Sequence, residues 1–249
     1  MRWWLLILLA IASSGCERAA DRQGFAAREE ARPALGLMTS LPIFWGEPAD
    51  MQDLLAGPAE QHWVRTLLER DYALVPLDNL GTGDGQPTGD LARLDRLLVA
   101  QPRALTTADN VALDGWVRGG GRLLLVLDPM MTEHSAYPVG DKRRFNDVAL
   151  VPPVLARWGL TLRYAEGAPP REVRFAGEAV PVAEYGVLSR GDTAGSGADC
   201  SIEAEGLAAN CRVGTGRALI VADAAFLNHD AAALAGSGAA HAVFGAAFD

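Results

Sequence analysis

Apolar runs and helically spaced segments alternate along most of this chain, and the alternation predicts strands and helices in turn. "ALGLMTSL" (Ala34–Leu41) is an apolar run that carries the polar pair Thr39 and Ser40 near its end, and it reads as a first strand. A loop, "PIFWGEPADM", leads to a helical segment around "DLLAGPAEQHWVRTLLERD", where Trp63, Leu67 and the Val64/Leu68 pair recur at helical spacing. "YALVPLDNL" reads as a second strand ending at Asp78, and the glycine- and proline-containing "GTGDGQPTGD" as a loop. "LARLDRLLVAQP" holds a short helix and a third strand. In "TTADNVALDGWVRGGG", Thr107 or Asp109 can cap a helix whose apolar face is Val111, Leu113, Trp116 and Val117. "RLLLVLDP" then enters as an unbroken apolar strand, the kind buried by helices on both faces.

Farther along, a short helix from about Pro153 to Trp158 tolerates proline in its first turn and ends at Gly159, before the strand "LTLRY". "REVRFAGEAVPVAEYGVLSR" and "ADCSIEAEGLAANCRV" alternate roughly at period two and read as a β-rich excursion at one edge of the sheet. "GRALIVADAAFLNHD" is another buried strand, and the compositionally simple Ala231–Ala247 reads as helical. Strands separated by helices imply an α/β fold: a three-layer sandwich around a mostly parallel sheet, as a single domain over residues 34–249.

Three consecutive glycines, Gly119, Gly120 and Gly121, raise the question of a phosphate cradle. Such a cradle lies after a strand and before a helix, so that the helix N-terminus points at the anion. Here the order is helix, glycines, strand. The glycines therefore read as a helix stop.

The N-terminus changes the picture of where the protein works. "MRWWLLILLAIASSGC" has one Arg, an apolar run from Trp3 to Ala12 and small residues after it, the pattern of a secretory signal over residues 1–16. That run is shorter than the ~20 apolar residues of a membrane-spanning helix. Cys16 after "ASSG" resembles a bacterial lipoprotein box, with Ser13 where an aliphatic residue is usual; the alternative is ordinary cleavage near Gly15. The charged, Ala-rich stretch that follows reads as a tether over residues 17–33. Export to the periplasm or envelope of a bacterium implies an oxidising compartment, where Cys200 and Cys211 fit a hairpin closed by a disulfide. A metal site at these cysteines would need further Cys or His nearby, and the sequence has none.

The net charge of −9 argues against a nucleic-acid partner. The densest basic run, "DKRRF" (Lys142, Arg143, Arg144), reads as a solvated loop. Candidate chemistry sits at strand ends, where open α/β sheets gather ligands: Thr39 and Ser40, Asp78, Asp128 and Asp223. Asp at a strand exit also commonly tightens a turn, as "DP" at Asp128–Pro129 suggests. "NHD" places His229 just past a strand, able to face the crevice of Asp223, with Asp230 as a helix-start cap in the alternative. "EHS" (Glu133, His134, Ser135) cannot converge as a triad from adjacent positions. The four histidines show no metal spacing, no nucleophile elbow occurs, and no catalytic residue, metal or cofactor is implied.

Together, "LGLMTSLPIFWGE", "LDGWVRGGGRLLLVLDP" and "GTGRALIVADAAFLNHD" resemble the exported auxiliary subunits of ABC transport systems, including those linked to gliding motility. The globular domain of that family is related to class I glutamine amidotransferases and ThuA-like proteins, and the resemblance spans roughly Leu35 to Asp230. It implies a flavodoxin-like α/β sandwich. It does not bring amidotransferase activity, because "VLDPMMTEHS" stands where the catalytic cysteine would follow its strand and the His-Glu pair has no match. Auxiliary relatives often carry membrane helices at the chain's end, and this sequence ends at Asp249 without one. The expectation is a non-enzymatic exported domain that binds a small molecule, a glycan or membrane ABC-transporter subunits, touching the membrane only through a lipid anchor. The alternative is an envelope hydrolase acting on glycans or small amides through an Asp-lined cleft. That alternative requires Asp128 and Asp223 to meet in a concave pocket with His134 or His229. A purely structural or interaction module is the third reading, and its mark is a large exposed apolar patch.

Overall fold

The strongest apolar runs of the chain become adjacent parallel strands. In the computed structural model, which describes residues 32–48, 61–191, 197–231 and 237–249, Pro33–Asp249 packs as one unit. The signal segment, Cys16, most of the tether and the first half of the first helical segment lie outside the described residues. The elements are β1 (Ala34–Thr39), α1 (Trp63–Asp71), β2 (Ala73–Pro76), β3 (Arg96–Ala100), α2 (Thr107–Arg118), β4 (Arg122–Val126) and α3 (Pro153–Arg157). Then come β5 (Leu160–Tyr164), β6 (Arg171–Phe175), β7 (Glu178–Val182), β8 (Gly186–Arg190), β9 (Ala198–Glu203), β10 (Ala208–Val213), β11 (Gly216–Val221) and α4 (Gly238–Phe248).

The main sheet has seven strands in the order β2-β1-β3-β4-β11-β10-β9. The first five run parallel, while β10 and β9 close the edge antiparallel. Alternate residues of the same strand enter opposite cores, because side chains leave a strand on alternating faces. Leu35, Leu98, Leu124 and Leu219 pack on one face against Val64 and Leu68 of α1 and Val243 and Phe244 of α4. Leu97, Leu123, Leu125 and Ile220 pack on the other face against Leu113 and Trp116 of α2 and Trp158. This is the layered α/β architecture that the alternation of elements implies.

The glycine triplet stops α2. Gly119 is the C-cap, Gly120 has φ 118°, and a Cβ on Gly121 would lie 2.5 Å from the Trp116 ring. Thr106, one residue before Thr107 and three before Asp109, starts the helix: its hydroxyl accepts from Asp109 N while the Asp109 carboxylate accepts from Thr106 N. Thr107 is already helical.

The β-rich excursion departs from expectation. Only β9 and β10 lie at the sheet edge, joined by the Cys200–Cys211 disulfide between directly paired residues. β5 pairs antiparallel with β8, and β6 with β7, as two separate two-stranded sheets. Each is apolar on one side and needs a surface to cover. β6–β7 packs Val173, Phe175, Val180 and Val182 into the first core, whereas Leu160 and Leu188 of β5–β8 join the second. No helix among the described residues is long and apolar enough to cross a membrane.

Candidate functional site

β1 and β3 to the right of it, with β2 on its other side, make the strand order reverse at β1, the place where an open α/β sheet offers a crevice beyond its strand ends. Four polar residues gather there. Ser40 follows β1, Gln101 follows β3, Asp128 lies two residues after β4, and Asp223 two residues after β11. Gln101, Asp128 and Asp223 are each 0% exposed.

The crevice is filled by the chain itself. Gln101, at φ 42°, turns its side chain toward the strand next door. Its Nε2 donates to the carbonyls of Asp128 and Asn146 at 3.0 Å each, and its Oε1 accepts from Asp128 N at 2.9 Å. Ser40 donates to the Gln101 carbonyl and accepts from Asn146 N. Thr39 Oγ1 accepts from Leu41 N at 2.9 Å, pinning its own turn. Met131 N and Ala149 N, donating to the Asp147 and Asp128 carbonyls, fold the segment after β4 back over the strand ends.

The two aspartates have identical duties. Asp128 Oδ1 accepts from Met130 N and its Oδ2 from Ala224 N; Asp223 Oδ1 accepts from Ala225 N and its Oδ2 from Ala183 N. Burial pushes the Asp128 carboxyl up to about 6 against the pull of the Met130 and Ala224 amides. Burial, and then the Asp128 charge, raise Asp223 well above the usual carboxylate range. The pair secures the turns after β4 and β11, and both carboxylates are closed off from solvent.

The six sequence candidates therefore do not form one cleft. Thr39, Ser40, Asp128 and Asp223 come together at the strand ends. Asp78 is exposed beyond the edge strand β2, with no hydrogen bond to another described residue, because β2 borders solvent rather than the switch point. His229 is exposed and belongs to a different cluster. Its ring meets the His62 ring edge-on at 5.5 Å, and its backbone N–H donates to Glu133. His134 is exposed, and its backbone N–H donates to the other Glu133 oxygen. Ser135 donates to Glu47, not to a histidine. The structure thus brings the two aspartates together, fully buried, while His134 and His229 are held at Glu133 instead.

Gln101 and Asn146 are marked by no motif, whereas Glu133 and Asn228 belong to the "EHS" and "NHD" stretches and meet His62 in a second cluster. Gln101 and Asn146 build the strand-end network; the available signal was a polar Gln between an apolar run and Pro102, one residue past its strand where the aspartates stand two past theirs. His62, Glu133 and Asn228 gather where the start of α1 meets the exits of β4 and β11. Trp63 Nε1 donates to the Asn228 carbonyl at 2.8 Å, and Asn228 Nδ2 donates to Thr132. Burial and the neighbouring His229 hold His62 down at about 4, while burial raises Glu133. Among the described residues, no three His, Cys, Asp or Glu are placed to hold a metal ion. The arginines of "DKRRF" are ion-paired in their loop, Arg143 to Asp141 and Arg144 to Asp147, in keeping with a solvated segment.

With this geometry in view, likeness to known proteins is informative at the level of family. The family described as an ABC-type uncharacterized transport system matches residues 32–168, more than half of the 249. The match runs from β1 through β5. No curated protein matches the chain. Among solved structures, the exo-β-1,4-mannosidase Op5Man5 from Opitutaceae bacterium strain TAV5 aligns at 15% identity and a TM-score of 0.48, over 93% of this chain and 38% of that one. Gan42B, a GH42 β-galactosidase from G. stearothermophilus, aligns at 15% identity and 0.44, over 77% of this chain and 28% of that one. The mmIFT52 N-terminal domain aligns at 12% identity and 0.49, over 85% of this chain and 95% of that one. The chain thus spans well under half the length of the two glycosidases.

Proposed function

Since the chain belongs to the family described as an ABC-type uncharacterized transport system, we propose that it is an exported, non-enzymatic auxiliary domain that binds a partner or small ligand for an ABC transporter at the cell envelope. The family match carries this reading. The signal-like N-terminus supports export, with Cys16 as the residue to receive a lipid anchor. The strand order β2-β1-β3-β4-β11 supports a flavodoxin-like sandwich of the kind also found in amidotransferase-like and ThuA-like domains, since it is the doubly wound 2-1-3-4-5 order. The buried aspartates support binding over catalysis: both are spent on backbone amides, and a hydrolase would have to expose one.

The test is a mild-detergent pull-down of the tagged full-length protein from its native membranes, with mass spectrometry of what comes along. Enrichment of ABC-transporter subunits over a control carrying the same signal segment is the expected result. Recovery of the protein alone overturns the accessory role. Fractionation of a Cys16→Ala variant separates the anchor from the role: loss of membrane association follows if Cys16 is lipidated.

A further inference from the structure

At the opposite end of the sheet from the aspartates, a row of arginines crosses four adjacent strands. Arg96 on β3 stands in register with Arg122 on β4, Arg122 with Arg217 on β11, and Arg217 with Arg212 on β10. Register partners leave a sheet on the same face, and this is the face of Leu98, Leu124 and Leu219. Like charges set directly opposite one another destabilise a sheet. The row is therefore a cost in the free protein unless negative charge meets it.

Among the described residues, little does so. Arg212 pairs with Asp199 at 3.0 Å. Arg122 donates to the main-chain oxygens of Phe248 and Asp249 at the end of α4. The Nε of Arg96 is buried with no acceptor among the described residues. Arg217 is exposed at the surface, and partial burial, then the charges of Arg122 and Arg96, pull its pKa down against Asp249. All this occurs in a chain whose net charge is −9.

Arg122, Arg212 and Arg217 line one cleft of about 600 Å³, together with Ser201, Asn210 and Thr215. Ser201 and Asn210 are already engaged by Glu203, and Thr215 by the Arg118 carbonyl. Asp199, the acid of the cleft, is taken by Arg212. What the cleft has to offer is guanidinium. We propose that it binds a doubly charged oxyanion of the phosphoryl class, seated on Arg217 between Arg122 and Arg212. Neighbouring strands lie ~4.8 Å apart, so adjacent guanidinium forks reach one tetrahedral group. The planar forks match phosphoryl oxygens bidentately, whereas a carboxylate, with one charge and two oxygens, satisfies a single fork. A phosphorylated solute and a phospholipid headgroup share this chemistry. The site does not depend on the transporter reading.

The test titrates the full-length protein with inorganic phosphate and pyrophosphate by calorimetry at constant ionic strength. It runs beside an Arg212→Gln/Arg217→Gln variant whose unfolding midpoint confirms that it folds; both positions are exposed. Saturable binding in the parent, weakened about tenfold or more in the variant, is expected. Flotation with phosphatidylglycerol against phosphatidylcholine vesicles distinguishes the sources. Retention on the anionic vesicles that the variant loses assigns a headgroup, and phosphate binding without retention assigns a soluble ligand. Binding equal in parent and variant, or none in either assay, overturns the proposal.

Discussion

Asp128 and Asp223, at the exits of adjacent parallel strands, are wired alike and share a wall: Asp128 Oδ2 accepts at 3.0 Å from the N–H of Ala224, the residue that directly follows Asp223. Each also pins its own turn by accepting from the amide two residues on, Met130 at 2.8 Å and Ala225 at 2.6 Å. Burial raises both carboxyls, Asp128 to about 6 and Asp223 well above the usual carboxylate range.

An aspartate that titrates higher in the folded than in the unfolded state holds its proton more tightly when folded. Its contribution to stability therefore grows as pH falls from neutral through about 6 for Asp128. Growth ends near the unfolded value of ~3.9. Asp223→Asn removes one of the two charges and leaves Ala183 N facing an amide donor. We expect it to lower stability at neutral pH by about 1–3 kcal/mol through that lost bond and to flatten the rise toward acid. Urea midpoints of parent and variant between about pH 5 and pH 7.5 measure both effects. Parallel pH profiles would show that the pair does not titrate as described.

His62 works against that rise. Its ring is held at about 4, below the 6.5 of a free histidine, so the unfolded chain takes up the proton first. Stability is lost as pH falls through the window between those values, by about 3 kcal/mol in all. His62 Nδ1 also accepts from Val64 N at the start of α1, a duty asparagine can perform. His62→Asn should keep the helix and remove this loss, making the protein more resistant to mild acid. Circular dichroism during acid titration reads the midpoint, which should move down.

Much of the fold was legible because β1, β3, β4 and β11 are continuous apolar runs, and a strand buried on both faces has little alternative. The glycine stop was legible from order alone. The Cys200–Cys211 link was legible because two short strands at that spacing had to pair. The alternating segments were not so easily placed. Val173, Phe175, Val180 and Val182 announce a one-sided hairpin, but nothing local says which surface it covers, and that surface is α4 and the first core rather than the sheet edge. The site shows the same limit. Asp128 and Asp223 could be found as strand ends. Gln101 also reaches the Asn146 carbonyl, 45 residues away, a contact that no local pattern announces. Asp78 was grouped with them because it also follows a strand, yet β2 is the edge of the sheet.

Gln101 should be the latch of the loop after β4. Gln101→Gly keeps the backbone at φ 42° without strain and deletes only the side chain. Buried groups of Asp128 and Asn146 then lose their partners, at a cost of about 1–3 kcal/mol each where water does not replace them. We expect faster amide hydrogen exchange in residues 130–151 than in the parent, with β3 and β4 themselves protected. Unchanged exchange there would mean that Ser40 and the loop's own hydrogen bonds hold it closed.

Asp109 joins two jobs that a simple cap keeps separate. One carboxylate oxygen closes the capping box with Thr106, and the other accepts from Leu80 N at 2.8 Å and Gly81 N at 3.0 Å, fastening the loop after β2 to the start of α2. Thr106→Ala removes only the cap and should cost about 1 kcal/mol. Asp109→Ala removes the cap's return bond and both loop bonds, leaving Leu80 N buried without an acceptor, and should cost about 2–4 kcal/mol. The double variant separates the two roles. Its cost should fall short of the sum of the singles, because both changes break the same Thr106–Asp109 contact. Strict additivity in chemical denaturation would show that the box contributes nothing and that Asp109 acts through the loop alone.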